Sequence, residues 1–101
     1  MTSQQWLQRR RQWLAEWTDH FACRPVCMVC DTAWTLDHGD LHHRNYDRLG
    51  HERWTDLIPV CRACHDHIHT LWDATPAWRR IGRSQATVGI ISRLRRRHSH
   101  A

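Results

Sequence analysis

Two Cys-x-x-Cys pairs, Cys27/Cys30 and Cys61/Cys64, constrain this chain more than any other feature. Each such turn aims two sulfurs at one point, and two turns supply the four tetrahedral donors of a structural Zn2+. A chain of 101 residues has room for one domain whose apolar core alone gives marginal stability, so a staple is expected. The 30 residues between the pairs exceed the usual zinc-ribbon gap, which calls for a hairpin and loop inserted between the knuckles. A longer closed loop costs little, about 0.6 kcal/mol per doubling. Two disulfides would need an oxidising compartment, and the N-terminus carries no apolar run of signal-peptide length. A finger built from Cys27, Cys30, His65 and His69 would stretch its gap to 34 residues and leave Cys61 and Cys64 idle. Cys23 stands outside the set as a buried or free thiol. The expected compartment is the cytoplasm, and no segment reads as a membrane span.

Around the knuckles the apolar pattern outlines a few short elements. Trp6, Leu7, Trp13, Leu14 and Trp17 fall on one stripe of a helix over about 3–20, with Arg9, Arg10 and Arg11 mostly off it on a basic face that reads as solvated, a DNA-contacting face being the alternative. The acid-free, arginine-bearing start also resembles a transit peptide, but the closely spaced tryptophans fit a structural helix better. Pro25 stops any helix before the first knuckle. Trp34 to Leu36 reads as a strand, Asp37–Asp40 as a turn, and Leu41–His43 as the returning strand. An irregular loop follows to about Thr55. The short apolar run before Cys61 contains Pro59 and is not helical. A helix is expected from about Cys64 through Trp72. A second, basic helix is expected over about 84–97, capped by Ser84, with Val88, Ile91 and Leu94 on its apolar side. Residues 1–101 thus form one domain with its core over about 23–73.

The charge balance bears on partners. Fifteen arginines oppose ten acids for a formal net charge of +5, and the chain has no lysine. That sign suits a polyanion such as nucleic acid, and the guanidinium fork suits bidentate phosphate contact. Coding bias explains the missing lysine equally well. Arg93, Arg95, Arg96 and Arg97 form a terminal run that fits either a phosphate grip or a solvated tail.

With four cysteines on one ion, the histidines are free for other chemistry. Six of the ten lie between Leu41 and His69. His65 and His69 are one helical turn apart, about 40° on the wheel, so both can face one ion. His67 points elsewhere. His42 and His43 are strand neighbours, which ordinarily face opposite sides, so both join one site only where the strand ends or kinks.

In this order, the His42-His43 pair, Tyr46, Gly50, Glu52, Asp56-Leu57 and Cys61-x-x-Cys64-His65-x-x-x-His69 resemble an HNH endonuclease of the zinc-knuckle type. The resemblance covers about Cys27 to His69 and omits the flanking helices. It implies an α+β, zinc-stapled ββα-metal (His-Me finger) core with flanking N- and C-terminal helices. It implies that His42, His65 and His69 hold a catalytic divalent ion (Mg2+ or Mn2+, with Ni2+ or Zn2+ as further candidates) and that His43 is the general base. The name's asparagine, which bonds backbone in the hairpin loop, falls on Asp56, which can accept those bonds but has no amide to donate. The implied reaction is hydrolysis of DNA phosphodiesters to a 3′-hydroxyl and a 5′-phosphate. Arg44, Arg48 and Arg62 are the nearby candidates for backbone contact. A zinc-bound nucleic-acid-binding module without catalysis is the alternative, with Asp56 as its best support. A zinc-stabilised interaction domain is the third reading, and a homodimer or larger partner protein stays open.

Overall fold

A computed structural model describes residues 3–99. The chain runs α1 (Ser3–Phe21), β1 (Gly39–His43), β2 (Leu57–Cys61), α2 (Arg62–Ala74) and α3 (Arg83–Ser99), with 3-10 turns at Trp54–Asp56 and Pro76–Arg80. β1 and β2 pair antiparallel, with His42 opposite Ile58 and His43 opposite Leu57. The result is a small α+β fold of three helices and one two-stranded sheet.

The sheet divides two apolar clusters. On one side Trp13, Trp34, Leu41 and Leu57 pack with Trp6, Trp17 and Trp54. On the other, Ile58, Val60 and Ile68 pack with Ile90, Ile91, Leu94 and the buried knuckle residues Cys27, Val29 and Cys64. This explains why β2 reads as a continuous apolar run rather than an alternating one: residues 57 to 60 are all buried. Pro59 has no N–H to give, which suits its place on an edge. Its carbonyl accepts the Met28 amide at 3.0 Å and seats the first knuckle beside β2.

The expected hairpin is corrected in one respect. Trp34–Leu36 forms no strand; only an isolated bridge, Val26 with Ala33, occurs there. The partner of β1 lies after the loop, at Leu57–Cys61. Trp34 is instead a core side chain, its indole N–H donating to the Asp40 carbonyl at 2.7 Å. The indole of Trp13 bonds the Trp54 carbonyl at 3.1 Å in the same way. Burying these rings with their N–H groups satisfied stabilises the α1 side, where five of the seven tryptophans sit.

The basic face of α1 is likewise not simply solvated. Arg9 donates to the Glu52 carbonyl at 2.9 Å and pairs with Glu16 at 2.8 Å. Arg10 donates to the Leu36 carbonyl at 2.9 Å and to that of Gly39. Two of the three arginines therefore clamp α1 onto the loops that flank β1. Their guanidiniums find backbone acceptors that a helix wheel cannot show.

Candidate metal centres

The first knuckle is a tight turn. The Asp31 amide bonds the Cys27 carbonyl at 2.9 Å, the Cys27 amide bonds the Thr32 carbonyl at 2.8 Å, and Asp31 takes a left-handed φ of 63°. The second knuckle is the junction of β2 and α2, with Cys61 the last residue of the strand and Cys64 in the first turn of the helix. The sulfurs of Cys27, Cys30, Cys61 and Cys64 all lie within 4.8 Å of one another. Sulfurs about 2.3 Å from a tetrahedral zinc are about 3.8 Å apart. Cys30 Sγ and Cys61 Sγ are 3.9 Å apart. Burial pushes the Cys27 and Cys64 thiols up, as expected for thiolates enclosed without a counter-charge. Burial also works against a charged Cys30, but bonds from Thr32, Cys27 and Cys64 hold it down to about 7. A partly buried four-sulfur set of this geometry fits Zn2+, whose charge would offset that penalty. Cys23 is exposed and apart.

A second group gathers on the same face of the sheet. His42, His65 and His69 place a ring nitrogen each within 4.8 Å of the others. His65 Nε2 and His69 Nε2 are 3.2 Å apart, the expected consequence of an i, i+4 pair on α2. Two nitrogens about 2.1 Å from one ion lie about 3.0–3.4 Å apart, depending on its geometry. His42 reaches the pair from β1, with ring centroids 5.4 Å from His65 and 5.5 Å from His69. It is buried, and its Nε2 lies 3.3 Å from the Thr87 hydroxyl of α3. Burial, together with His65, His69 and Arg83, pushes His42 down to about 3, so it is a neutral, ligand-competent imidazole at any physiological pH. Burial and His65 lower His69 as well.

Asp40 was read from sequence only as a turn residue. It lies two residues before His42, hence on the same face of β1. Its Oδ2 is 3.1 Å from His65 Nδ1, so the proton sits on Nδ1 and Nε2 faces the cluster. Asp40→Ala is expected to weaken divalent-ion binding at the histidines by about 10- to 100-fold while leaving the tightly held zinc in place. Calorimetric titration of the zinc-loaded protein with Ni2+ checks this, and unchanged affinity would deny Asp40 its role.

His43 stays outside that cluster. It turns to the α1 side of the sheet, stacked on Trp6 with centroids 5.6 Å apart and planes 19° apart. Tyr46 packs against the same imidazole at 5.5 Å. His43 Nε2 lies 3.3 Å from Glu52 Oε1, which also accepts the Gly50 amide at 2.9 Å. Glu52 is buried; burial opposes its charge, but the Gly50 amide and His43 outweigh it and hold the carboxyl below the usual carboxylate range. The pairing directs the other imidazole nitrogen, Nδ1, away from the carboxylate. In the sequence Glu52 counts only as part of the motif that carries the resemblance, since spacing alone does not show which imidazole a loop carboxylate meets.

Asp56 ends the connecting loop rather than touching His43. Its carboxylate takes a two-pronged bond from Arg48, 2.8 Å at Nε, and accepts the Arg53 amide at 2.9 Å. The Arg48 contact, above all, holds Asp56 below its ordinary range. The Asp56 carbonyl accepts the Arg44 amide at 2.8 Å and so closes the loop onto the end of β1.

The three arginines expected to meet a phosphate backbone are mostly engaged within the fold. Arg48 is spent on Asp56, and Arg62, though exposed, reaches Asp40 at 3.3 Å. Arg44 is half-buried. A cation that sequence did not single out stands closer to the histidines. Arg83, at the start of α3, lies over the Tyr46 ring at 4.4 Å and the Trp72 ring at 5.1 Å, and it donates to the Tyr46 hydroxyl at 3.0 Å.

Comparison with protein-family models, curated proteins and solved structures gives no match to this chain. Among the described residues no helix is long and apolar enough to cross a membrane.

Proposed function

We propose that this chain is a metal-dependent DNA endonuclease of the HNH type, with a zinc-stapled ββα-metal core made of β1, β2 and α2. The observation that carries the proposal is the pairing of a three-nitrogen cluster, His42, His65 and His69, with a separately held imidazole, His43, on the adjacent residue of one strand. Three protein ligands leave coordination positions open, as a catalytic rather than structural ion requires. A divalent ion held there supplies Lewis acidity to the scissile phosphate and to the departing 3′ oxygen.

The chain's own residues supply the rest. His43 takes a proton from the attacking water, the part imidazole most often plays in general-base catalysis. Glu52 and the Trp6 ring fix its orientation. Asp56 accepts a backbone amide in the hairpin loop, as expected of the asparagine it replaces, and Arg48 occupies the carboxylate's remaining capacity. Arg83, which lines one small cavity with His42 and His69, is the cation offered to a phosphate there.

The donor set also ranks the ions. Imidazole nitrogens suit Ni2+, Zn2+ and related ions better than Mg2+, which prefers oxygen. Purified zinc-loaded protein is expected to nick supercoiled plasmid, and cutting should saturate at lower Ni2+ or Mn2+ than Mg2+ concentration. Failure to cut with any of Mg2+, Mn2+, Ni2+, Co2+ or Zn2+, with DNA binding intact, would leave the binding-module alternative standing instead.

A further inference from the structure

α3 lines two places in succession. Its first two turns bring Arg83 and Thr87 to the histidine cluster. Its last turns carry Arg93, Arg96 and Arg97, which share an open groove of about 810 Å³ with Trp78 and Gly89. Residues 89, 93, 96 and 97 follow helical intervals of three and four, so the glycine and the three arginines form one stripe. The buried face of the helix, Ala86, Thr87, Ile90, Ile91 and Leu94, adjoins this stripe, turned roughly 100° from it on average.

The groove owes its shape to Gly89. The Trp78 ring lies against it, and a Cβ there would sit 2.7 Å from Trp78 Cζ3, too close for any side chain. The 3-10 turn at Pro76–Arg80 thus lays an aromatic wall beside a row of cations. Arg95, by contrast, points elsewhere and bonds Asp31 at 3.1 Å and the Met28 carbonyl at 2.7 Å. Arg93, Arg96 and Arg97 are exposed and form no ion pair among the described residues. Three guanidiniums held on one stripe without a carboxylate repel one another, and each presents a fork that fits phosphate oxygens.

We propose that Arg93, Arg96 and Arg97, with Trp78, form a binding site for the phosphodiester backbone of DNA, separate from the cleavage site and on the same strand's path. The inference rests on the nuclease proposal above for its choice of polyanion. Distance supports it. From Thr87 to Arg93 is six residues and to Arg97 ten, or about 9–15 Å along α3 at 1.5 Å per residue. At about 3.4 Å of rise per nucleotide, that spans roughly three to four steps of one strand. The groove would hold the backbone a short distance from the bond to be cut and set its register over the histidines. Such contacts position without reading sequence.

The test is binding of a 20-base-pair duplex of mixed sequence, followed by fluorescence anisotropy between 50 and 200 mM salt, with zinc-loaded protein and no added divalent ion. A variant with Arg93→Ala, Arg96→Ala and Arg97→Ala is compared with the natural chain. All three positions are exposed, and zinc content and the thermal melt verify that the variant is folded. The three contacts are expected to contribute about 2.7 to the log–log salt slope, so the variant should lose roughly 40-fold less affinity over that salt range. At 50 mM salt its affinity should fall at least tenfold. An unchanged slope and affinity would overturn the groove, even where the protein nicks plasmid. Salt-sensitive binding that the variant loses, in a protein that cuts nothing, would keep the groove and sink the nuclease proposal. Competition by polyglutamate as effective, charge for charge, as DNA would assign the stripe to an acidic protein and overturn the proposal.

Discussion

His43→Ala is expected to lower plasmid nicking by at least about 100-fold while DNA affinity and the content of tightly bound zinc stay the same. The separation of the two neighbouring histidines makes this a clean experiment. His42 is the buried member of the nitrogen cluster on the α2 and α3 side, whereas His43 touches Trp6, Tyr46 and Glu52 on the α1 side. Removing the His43 imidazole therefore takes away a proton acceptor without taking a ligand from the ion. His42→Ala should differ, since it removes a ligand and leaves a hole in a packed region, so both ion affinity and stability fall. Glu52→Gln is an informative comparison. It keeps the volume and the capacity to bond Gly50, and it removes the charge beside the imidazole, so its rate should fall between those of His43→Ala and the natural chain. A His43→Ala protein that cut at the normal rate would remove the general base from the mechanism.

Loss of the sulfur-held ion should have the largest effect on the fold. Cys61→Ser, or treatment with a strong chelator, is expected to abolish cooperative thermal unfolding and most of the near-ultraviolet tryptophan signal. Structural zinc binding is worth about 10–16 kcal/mol in small domains, as large as or larger than the typical 5–15 kcal/mol of net stability. The geometry explains why little would replace it. The four sulfurs tie the turn at Cys27–Cys30 to the β2–α2 junction, and the cluster of Ile58, Val60, Ile68 and Leu94 packs against those same cysteines. Without the ion, the buried Cys27 and Cys64 lose their common partner, and the knuckle keeps only the Met28 amide on Pro59, the Arg95 bonds to Met28 and Asp31 and the packing of Val29. Cys23→Ser is the control. That thiol is exposed and outside the set, so the expected change is within about 0.5 kcal/mol. Circular dichroism with zinc analysis measures both, and a chelated protein that still melted cooperatively at the same temperature would remove the ion from any structural role.

Local signals in the sequence carried much of this arrangement. The stripe of Trp6, Trp13 and Trp17 placed a helix over about 3–20, and α1 runs from Ser3 to Phe21. The terminal helix expected over about 84–97 spans Arg83 to Ser99. Spacing of two and three residues between chemically distinctive side chains pointed to the cysteine set and to the His65–His69 pair, because those groupings are fixed by one turn of backbone. Long-range choices were not legible. Trp34–Leu36 and Leu57–Cys61 were both short apolar runs, and β1 pairs with the more distant one because Leu57 to Val60 can be buried on both faces whereas Trp34 serves one. The destinations of the arginines were hidden for a related reason. A guanidinium on a long stem reaches whatever acceptor the fold brings within range, and for Arg9, Arg10, Arg48 and Arg62 those acceptors come from distant loops or from carboxylates whose own positions the fold decides. Asp40 was the nearest to being readable, since strand alternation alone puts it beside His42.

The alternation of β1 makes its reading frame a chemical variable. The two neighbouring imidazoles reach unlike surroundings purely through odd and even placement, so sliding the strand by one position would turn each to the opposite face: His42 would leave the side that holds His65 and His69, and His43 would leave the side that holds Trp6. Composition would be unaltered and both rings would still be enclosed. The thirteen residues between the strands can therefore drift in length and character far more freely than the five of β1, where a single deletion would turn His42 or His43 away from its partners.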